Sequence, residues 1–255
     1  MFQKHAVTFL HFCKTIISYT YIPKSLRELS EEFKLLWKSH ISENLLLSAR
    51  KLYKLCIFAQ HKSKTMDIKR IITDSISVKE SIAQDAQLLK TVEEVTNTVV
   101  NTYNNQGAVY FCGNGGSAAD AQHIAAELSG RFYYDRDPLF AEALHVNTSY
   151  LTAVANDYSY DEIYARLIKA KGRKGDILFG ISTSGNSENI IRAFKVARAQ
   201  GVICVALTGE TGGAMKEHAD FLINVPSKDT PRIQESHIML GHIICEFVES
   251  QLFPR

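Results

Sequence analysis

Two short stretches of the 255-residue chain have the composition of anion-binding turns: Gly113-Asn114-Gly115-Gly116-Ser117 and Ser182-Thr183-Ser184-Gly185-Asn186-Ser187. Glycine lets a backbone turn off a buried strand and approach a ligand closely, and the unpaired N–H groups of a helix's first turn point at whatever anion sits there. Each stretch follows an apolar run, 108–112 or 176–181, and precedes a helical pattern that starts at Ala118 or at Glu188. Two such turns in one domain point to a phosphorylated small molecule. Nucleotides fit less well. Gly113, Gly115 and Ala118 satisfy the G-x-G-x-x-G/A spacing of dinucleotide folds, but the next apolar run, 141–146, ends in Asn147-Thr148 with no carboxylate for a ribose, and neither turn carries a P-loop Gly-Lys-Ser/Thr. The phosphate is therefore expected on neutral donors: backbone N–H groups, serine and threonine hydroxyls, and helix ends.

Proton-transfer and metal-binding groups cluster in two helical patterns. His123 and Glu127 are four residues apart, so they share a helix face about 6 Å apart along the axis. In the last pattern, Gln234 and His242 are eight apart, about 12 Å of rise and about 80° of rotation, too far to lie side by side. They would meet one centre only by reaching it from opposite ends or from different subunits. A lone helical histidine is more often structural than a ligand, and a His/Glu pair at this spacing is more often a surface pair.

The elements that must position these residues follow from periodicity. Short apolar runs near 108–112, 141–146, 176–181, 202–207 and 221–225 alternate with helical patterns, which predicts an α/β fold with a doubly wound, five-stranded parallel sheet and ligands at the carboxyl ends of its strands. A long helical pattern over 68–105 is expected to stop at Gly107, and a final helix over 230–252 carries Ile233, Ile238, Leu240, Ile243, Ile244, Phe247 and Val248.

Charge divides the chain. Residues 1–65 hold 11 Lys/Arg against 4 Asp/Glu, a net +7, whereas 66–255 hold 18 against 23, a net −5. The main body therefore has no general affinity for nucleic acid. The basic stretch shows helical spacing over 26–58 without the turn of a helix-turn-helix. It reads as an extension of uncertain order, or as a segment outside the native protein with Met66 as the start of a complete domain over 66–255. Five cysteines, Cys13, Cys56, Cys112, Cys204 and Cys245, have no C-x-x-C spacing and suit reduced thiols in a cytoplasm. No run is long and apolar enough for a membrane span, and Lys14 interrupts the only stretch that looks like a signal peptide.

Taken in order, the 113–131 segment, Ala155-Asn156-Asp157, the 180–187 segment and Arg232-Ile233-Gln234-Glu235-Ser236-His237 with His242 resemble the phosphoheptose isomerase family of sugar isomerase (SIS) domain enzymes. The resemblance covers about 66–255 and implies a flavodoxin-like SIS fold. It implies conversion of sedoheptulose 7-phosphate to D-glycero-D-manno-heptose 7-phosphate through an enediol, for bacterial heptose used in lipopolysaccharide or capsule. By the same resemblance Glu127 and His242 are the acid/base pair. Asn114, Gly115, Gly116, Glu127, Asn156, Asp157, Ser182, Thr183, Ser184, Ser187 and Gln234 contact substrate. His123, Glu127, Gln234 and His242 hold one Zn2+ per subunit of a homotetramer with sites at subunit interfaces. Two alternatives stay open: a non-catalytic relative that binds the replication initiator, whose tail resembles 251–255 but whose pattern lacks Glu127 and His242, and a sugar-phosphate-sensing regulator.

Overall fold

The computed structural model describes residues 66–255; the basic extension and its helical stretch lie outside them. The long helical pattern is two helices, α1 (Ile68–Gln84) and α2 (Ala86–Asn104). Asp85 separates them. Its backbone N–H closes α1 on the Ile82 carbonyl, while its side chain accepts from the Leu88 N–H at 2.9 Å and caps α2. A short acidic side chain bonds its own neighbouring backbone in competition with helix continuation. The expected glycine stop is also displaced by one residue. Gln106 carries the positive φ of +59°, with its N–H on Tyr103 O and the Gly107 N–H on Thr102 O, the paired bonds of a Schellman cap. Gly107 is needed for space instead, since a Cβ there would lie 2.7 Å from Thr102 Cγ2.

The remaining strands and α-helices are β1 (Val109–Gly113), α3 (Gly116–Ser129), β2 (Ala141–Ala143), α4 (Thr148–Asp157), α5 (Ile163–Lys171), β3 (Ile177–Ser182), α6 (Glu188–Ala199), β4 (Ile203–Thr208), β5 (Phe221–Asn224) and α7 (Thr230–Leu252), with short 3-10 turns at Tyr160–Glu162 and Ala214–His218. All five strands are parallel, in the order β2-β1-β3-β4-β5. The second strand is shorter than the 141–146 expected from its apolar run, because the chain turns at Leu144 as soon as it passes Phe111, whose carbonyl takes the Leu144 N–H.

Alternate strand residues feed two cores. Val109, Phe111, Ile177, Phe179, Ile181, Val205 and Leu207 face α2, α3 and α7, with Phe111 and Phe179 stacked at 4.9 Å between ring centroids. Tyr110, Cys112, Leu178, Cys204 and Ala206 face α4, α5 and α6. Burial pushes the Cys204 and Cys245 thiols up to about 12 and the Cys112 thiol higher still, so these three are inert packing groups. In this strand order the connections diverge between β1 and β3, the place where open α/β sheets bind ligands. Gly113 pairs with Ile181 across that point, so the glycine turn and the serine turn leave the sheet side by side.

Candidate active site

At the end of β1, the backbone folds back so tightly that a Cβ on Gly113 would collide with the Ser117 carbonyl, and Gly115 has φ of +56°. The buried Tyr164 hydroxyl donates to the Gly113 carbonyl and anchors the strand end. Asn114 does not present its amide to solvent. It exchanges two bonds with Asn189, at 3.0 and 2.9 Å, and also accepts from the Tyr160 hydroxyl at 3.0 Å. Asn189 is 3% exposed on α6, so this amide pair ties the first turn to the second.

The second turn is held with equal rigidity. Ser182 and Ser187 hydroxyls pair at 2.8 Å, and Ser184 Oγ accepts from the Asn186 N–H at 3.2 Å. Gly185, at φ +66°, presses so closely on Gly212 that a Cβ would meet its carbonyl, and its own carbonyl takes the Met215 N–H. Ser187 stands ahead of α6 with its side chain turned to Ser182 rather than to the helix, leaving the first-turn N–H groups directed at the turn. Thr183 is half-buried in the same turn. Hydroxyls and N–H groups thus converge in one loop, an arrangement suited to an anion.

The helices α3 and α7 lie side by side and run in the same direction. Gln234 lies against Gly116, whose Cβ would collide with the Gln234 amide, while Gly241 lies against Ile124 and His242 against His123. His123 Nε2 is 3.0 Å from His242 Nε2 and 3.1 Å from Glu127 Oε1, and the three donor atoms lie within 4.8 Å of one another. One ring nitrogen carries one hydrogen or one lone pair and cannot satisfy both neighbours by hydrogen bonds. A cation among three converging lone pairs does, and tetrahedral Zn2+ with ligand bonds of about 2.0–2.2 Å requires donor separations close to these. Two histidines and a glutamate placed this way could hold a divalent metal ion. Gln234 belongs to the other end of the helix pair, about 10 Å along α3 from His123 by helix rise, where it faces the glycine turn. Asn156 and Asp157 are exposed at the end of α4 and bonded to each other at 2.9 Å.

Comparison with known proteins shows which family the chain comes from. The SIS domain family matches residues 75–209. The phosphoheptose isomerase of Mycobacterium tuberculosis is 55% identical over 188 residues, covering 73% of this chain and 96% of the relative. The one from Clostridium acetobutylicum is 50% identical over 186 residues, covering 73% and 95%. The chain belongs to the phosphoheptose isomerase family. Solved structures agree: a Francisella tularensis phosphoheptose isomerase superposes with a TM-score of 0.69 at 35% identity, covering 72% of this chain and 96% of that one. A Neisseria gonorrhoeae phosphoheptose isomerase gives 0.67 at 41%, covering 72% and 97%. The doubly wound SIS fold and the isomerase class of enzyme expected from the motifs both hold.

Asn189, which ties the two turns together, gives no signal in the sequence patterns, being one polar position inside an apolar helix face. His237 lies within the 232–237 motif but has a structural place. It is fully buried on α7, donates from Nε2 to the Thr208 carbonyl at 3.0 Å, and leaves Nδ1 without a partner. Burial lowers its pKa from 6.5 to about 4, against the smaller opposing effect of the Thr208 bond. The folded ring therefore stays neutral where the unfolded ring takes a proton, and stability falls as pH drops from about 6.5 towards 4. Between pH 7 and pH 5 this linkage should remove about 2 kcal/mol of unfolding free energy. Denaturant unfolding of the parent and of His237→Gln, which keeps a donor for Thr208, measures it. Equal pH dependence in the two proteins would refute it.

Gly241 decides how closely α7 approaches α3. A Cβ there would meet two Ile124 side-chain carbons, the second at 2.9 Å. Gly241→Val should cost about 1–3 kcal/mol through overpacking. Turnover should fall as well, because the neighbouring His242 moves away from His123. A variant with unchanged melting and unchanged kcat would show that the helices have slack.

Proposed function

We propose that the enzyme interconverts sedoheptulose 7-phosphate and D-glycero-D-manno-heptose 7-phosphate, with Glu127 and His242 as the acid/base pair. The carrying observation is the convergence of these two side chains on His123 in a chain whose two anion-ready turns stand at the switch point of the sheet. The relatives' name supplies the substrate class, and the chemistry suits the residues present. Glu127 takes a proton from C1, the C1–H electrons form the C1=C2 bond, and the C2 carbonyl oxygen becomes an enediol hydroxyl with a proton from His242. In the second half the O1 proton leaves to His242, the C1 carbonyl forms, and Glu127 returns its proton to C2. Atoms and charge balance over the cycle.

Ser182, Thr183, Ser184 and Ser187 with the first turn of α6 would hold the phosphate. Gly115, Gly116 and Gln234 at the glycine turn, and Asn156 and Asp157 at the end of α4, would meet sugar hydroxyls. The Asn114 side chain acts through Asn189, leaving its backbone for the substrate. His123, Glu127 and His242 would hold Zn2+, which when bound polarises the carbonyl and stabilises the enediolate charge. A carboxylate has two oxygens and an imidazole two nitrogens, so Glu127 can hold a cation with one oxygen and accept a proton with the other, and His242 can hold it through Nε2 while Nδ1 gives and takes the proton.

A homotetramer would cover the apolar α1 face on which Ile68, Ile71, Ile72 and Ile76 are each 46–57% exposed. The described residues contain no helix long and apolar enough to cross a membrane, and Cys112, Cys204 and Cys245 are free and buried, which suits a cytoplasmic enzyme. The initiator-binding and sugar-sensing alternatives have no use for the Glu127–His123–His242 convergence. Incubating the full chain and a 66–255 fragment with sedoheptulose 7-phosphate tests the reading. Both should yield the aldose phosphate, at matching rates if the basic extension is dispensable; no product from either would overturn the activity.

A further inference from the structure

Arg136 and Glu249 form an ion pair whose side chains are 2% and 1% exposed, with Arg136 Nε donating to Glu249 Oε1 at 3.2 Å. The two residues stand 113 apart in the chain, and the reaction chemistry assigns neither a role. Charges this deeply buried persist only when their remaining donors and acceptors are satisfied. Here those bonds all go to the structure around the acid/base pair. Arg136 Nη2 donates to the Glu127 carbonyl at 2.9 Å, and Nη1 is within reach of the carbonyls of Leu128 at 2.8 Å, Gly130 at 2.9 Å and, in its own loop, Asp137 at 3.0 Å. The guanidinium therefore caps the C-terminal turn of α3, the turn that carries Glu127. Glu249, two turns beyond His242 on α7, accepts from the backbone N–H groups of Phe132 at 2.9 Å and Tyr133 at 2.8 Å. Burial acts to raise its carboxyl, but those two N–H groups and the guanidinium outweigh it and hold the group below the usual glutamate value. The Phe132 ring, fixed by this contact, lies 5.7 Å from the His242 ring.

We infer that Arg136 and Glu249 are a positioning pair that sets the separation and orientation of Glu127 and His242 by locking the end of α3 to α7. The inference rests on the acid/base assignment proposed above. The pair bonds to α3, α7 and the loop between α3 and β2, whereas the phosphate turn belongs to β3 and α6. Loosening the pair should therefore disturb proton transfer and leave substrate binding largely intact. A misplacement of catalytic groups by about 1 Å is enough to cost on the order of 10²-fold in rate.

Two variants test this with sedoheptulose 7-phosphate. Arg136→Lys keeps the charge opposite Glu249, but its ammonium has three donors on one atom and cannot span the carboxylate and four separate carbonyls. Its kcat should fall about tenfold or more with KM within about threefold of the parent. Arg136→Met/Glu249→Leu removes both charges without orphaning either, and should lower kcat by about 10²-fold, again with KM nearly unchanged. Melting temperatures are recorded alongside; should the double variant fail to fold, Arg136→Lys decides alone. A folded variant with kcat within twofold of the parent overturns the inference, as does a KM that rises in step with the fall in kcat/KM. A parent that itself gives no aldose phosphate overturns the acid/base reading and this inference together, a result distinct from an active parent with equally active variants.

Discussion

Glu127→Gln is expected to lower kcat by about 10²–10⁴-fold, the usual contribution of a positioned general base, while leaving the protein folded. The substitution preserves the size and planarity of the side chain and removes its capacity to accept a proton. Glu127 is 26% exposed, so the change buries no new unpaired charge and should alter stability by less than about 1 kcal/mol. The loss should appear in exchange as well as in turnover. In D2O the parent should incorporate solvent deuterium at C1 of the ketose as fast as or faster than aldose accumulates, and the variant should show neither process. His242→Asn separates the two proton-transfer roles: C1 exchange should persist in part there, because Glu127 alone removes the carbon-bound proton. Turnover by Glu127→Gln within a fewfold of the parent would remove Glu127 from the chemistry and leave the His123–His242 contact without a catalytic partner.

The sheet was legible because its signals are local. A buried parallel strand is a short apolar run, and each of the five runs lies within one or two residues of its strand apart from 141–146. That strand ends early for a non-local reason, a bond from Leu144 to the adjacent Phe111 carbonyl. The same distinction explains α1 and α2. Their apolar spacing continues across residue 85, and the two bonds of Asp85, backbone N–H to Ile82 and side chain to Leu88, break the helix. At the site, glycine and serine composition exposes the two turns, and the i,i+4 spacing pairs His123 with Glu127. The approach of His242 depends on the parallel packing of α3 and α7, which Gly241 permits but no spacing announces. Helix geometry was right that Gln234 and His242 do not lie together. They face successive levels of one neighbouring helix, so within this chain three of the four residues expected around a metal come together and the fourth meets the glycine turn.

Removing bound metal is expected to lower the isomerisation rate by about 10²-fold or more, with Zn2+ restoring it, because stabilisation of a developing enediolate is commonly worth several kcal/mol. The donor geometry sharpens the prediction. His123 Nε2 stands at hydrogen-bonding distance from both Glu127 and His242, a crowding that a cation relieves and a proton only half relieves. The coordinating forms are neutral imidazole and carboxylate, so Zn2+ binding should release protons and weaken as pH falls. Competition with a chromogenic chelator at several pH values measures that directly, and a His123→Ala variant should bind Zn2+ at least about tenfold more weakly whether or not it turns over substrate. The opposite outcome has a defined meaning. If protein shown by elemental analysis to be free of metal retains full activity, the 3.0 Å contact between His123 and His242 is a shared proton, His123 serves to hold His242 in the tautomer that protonates O2, and the reaction runs on acid/base groups alone.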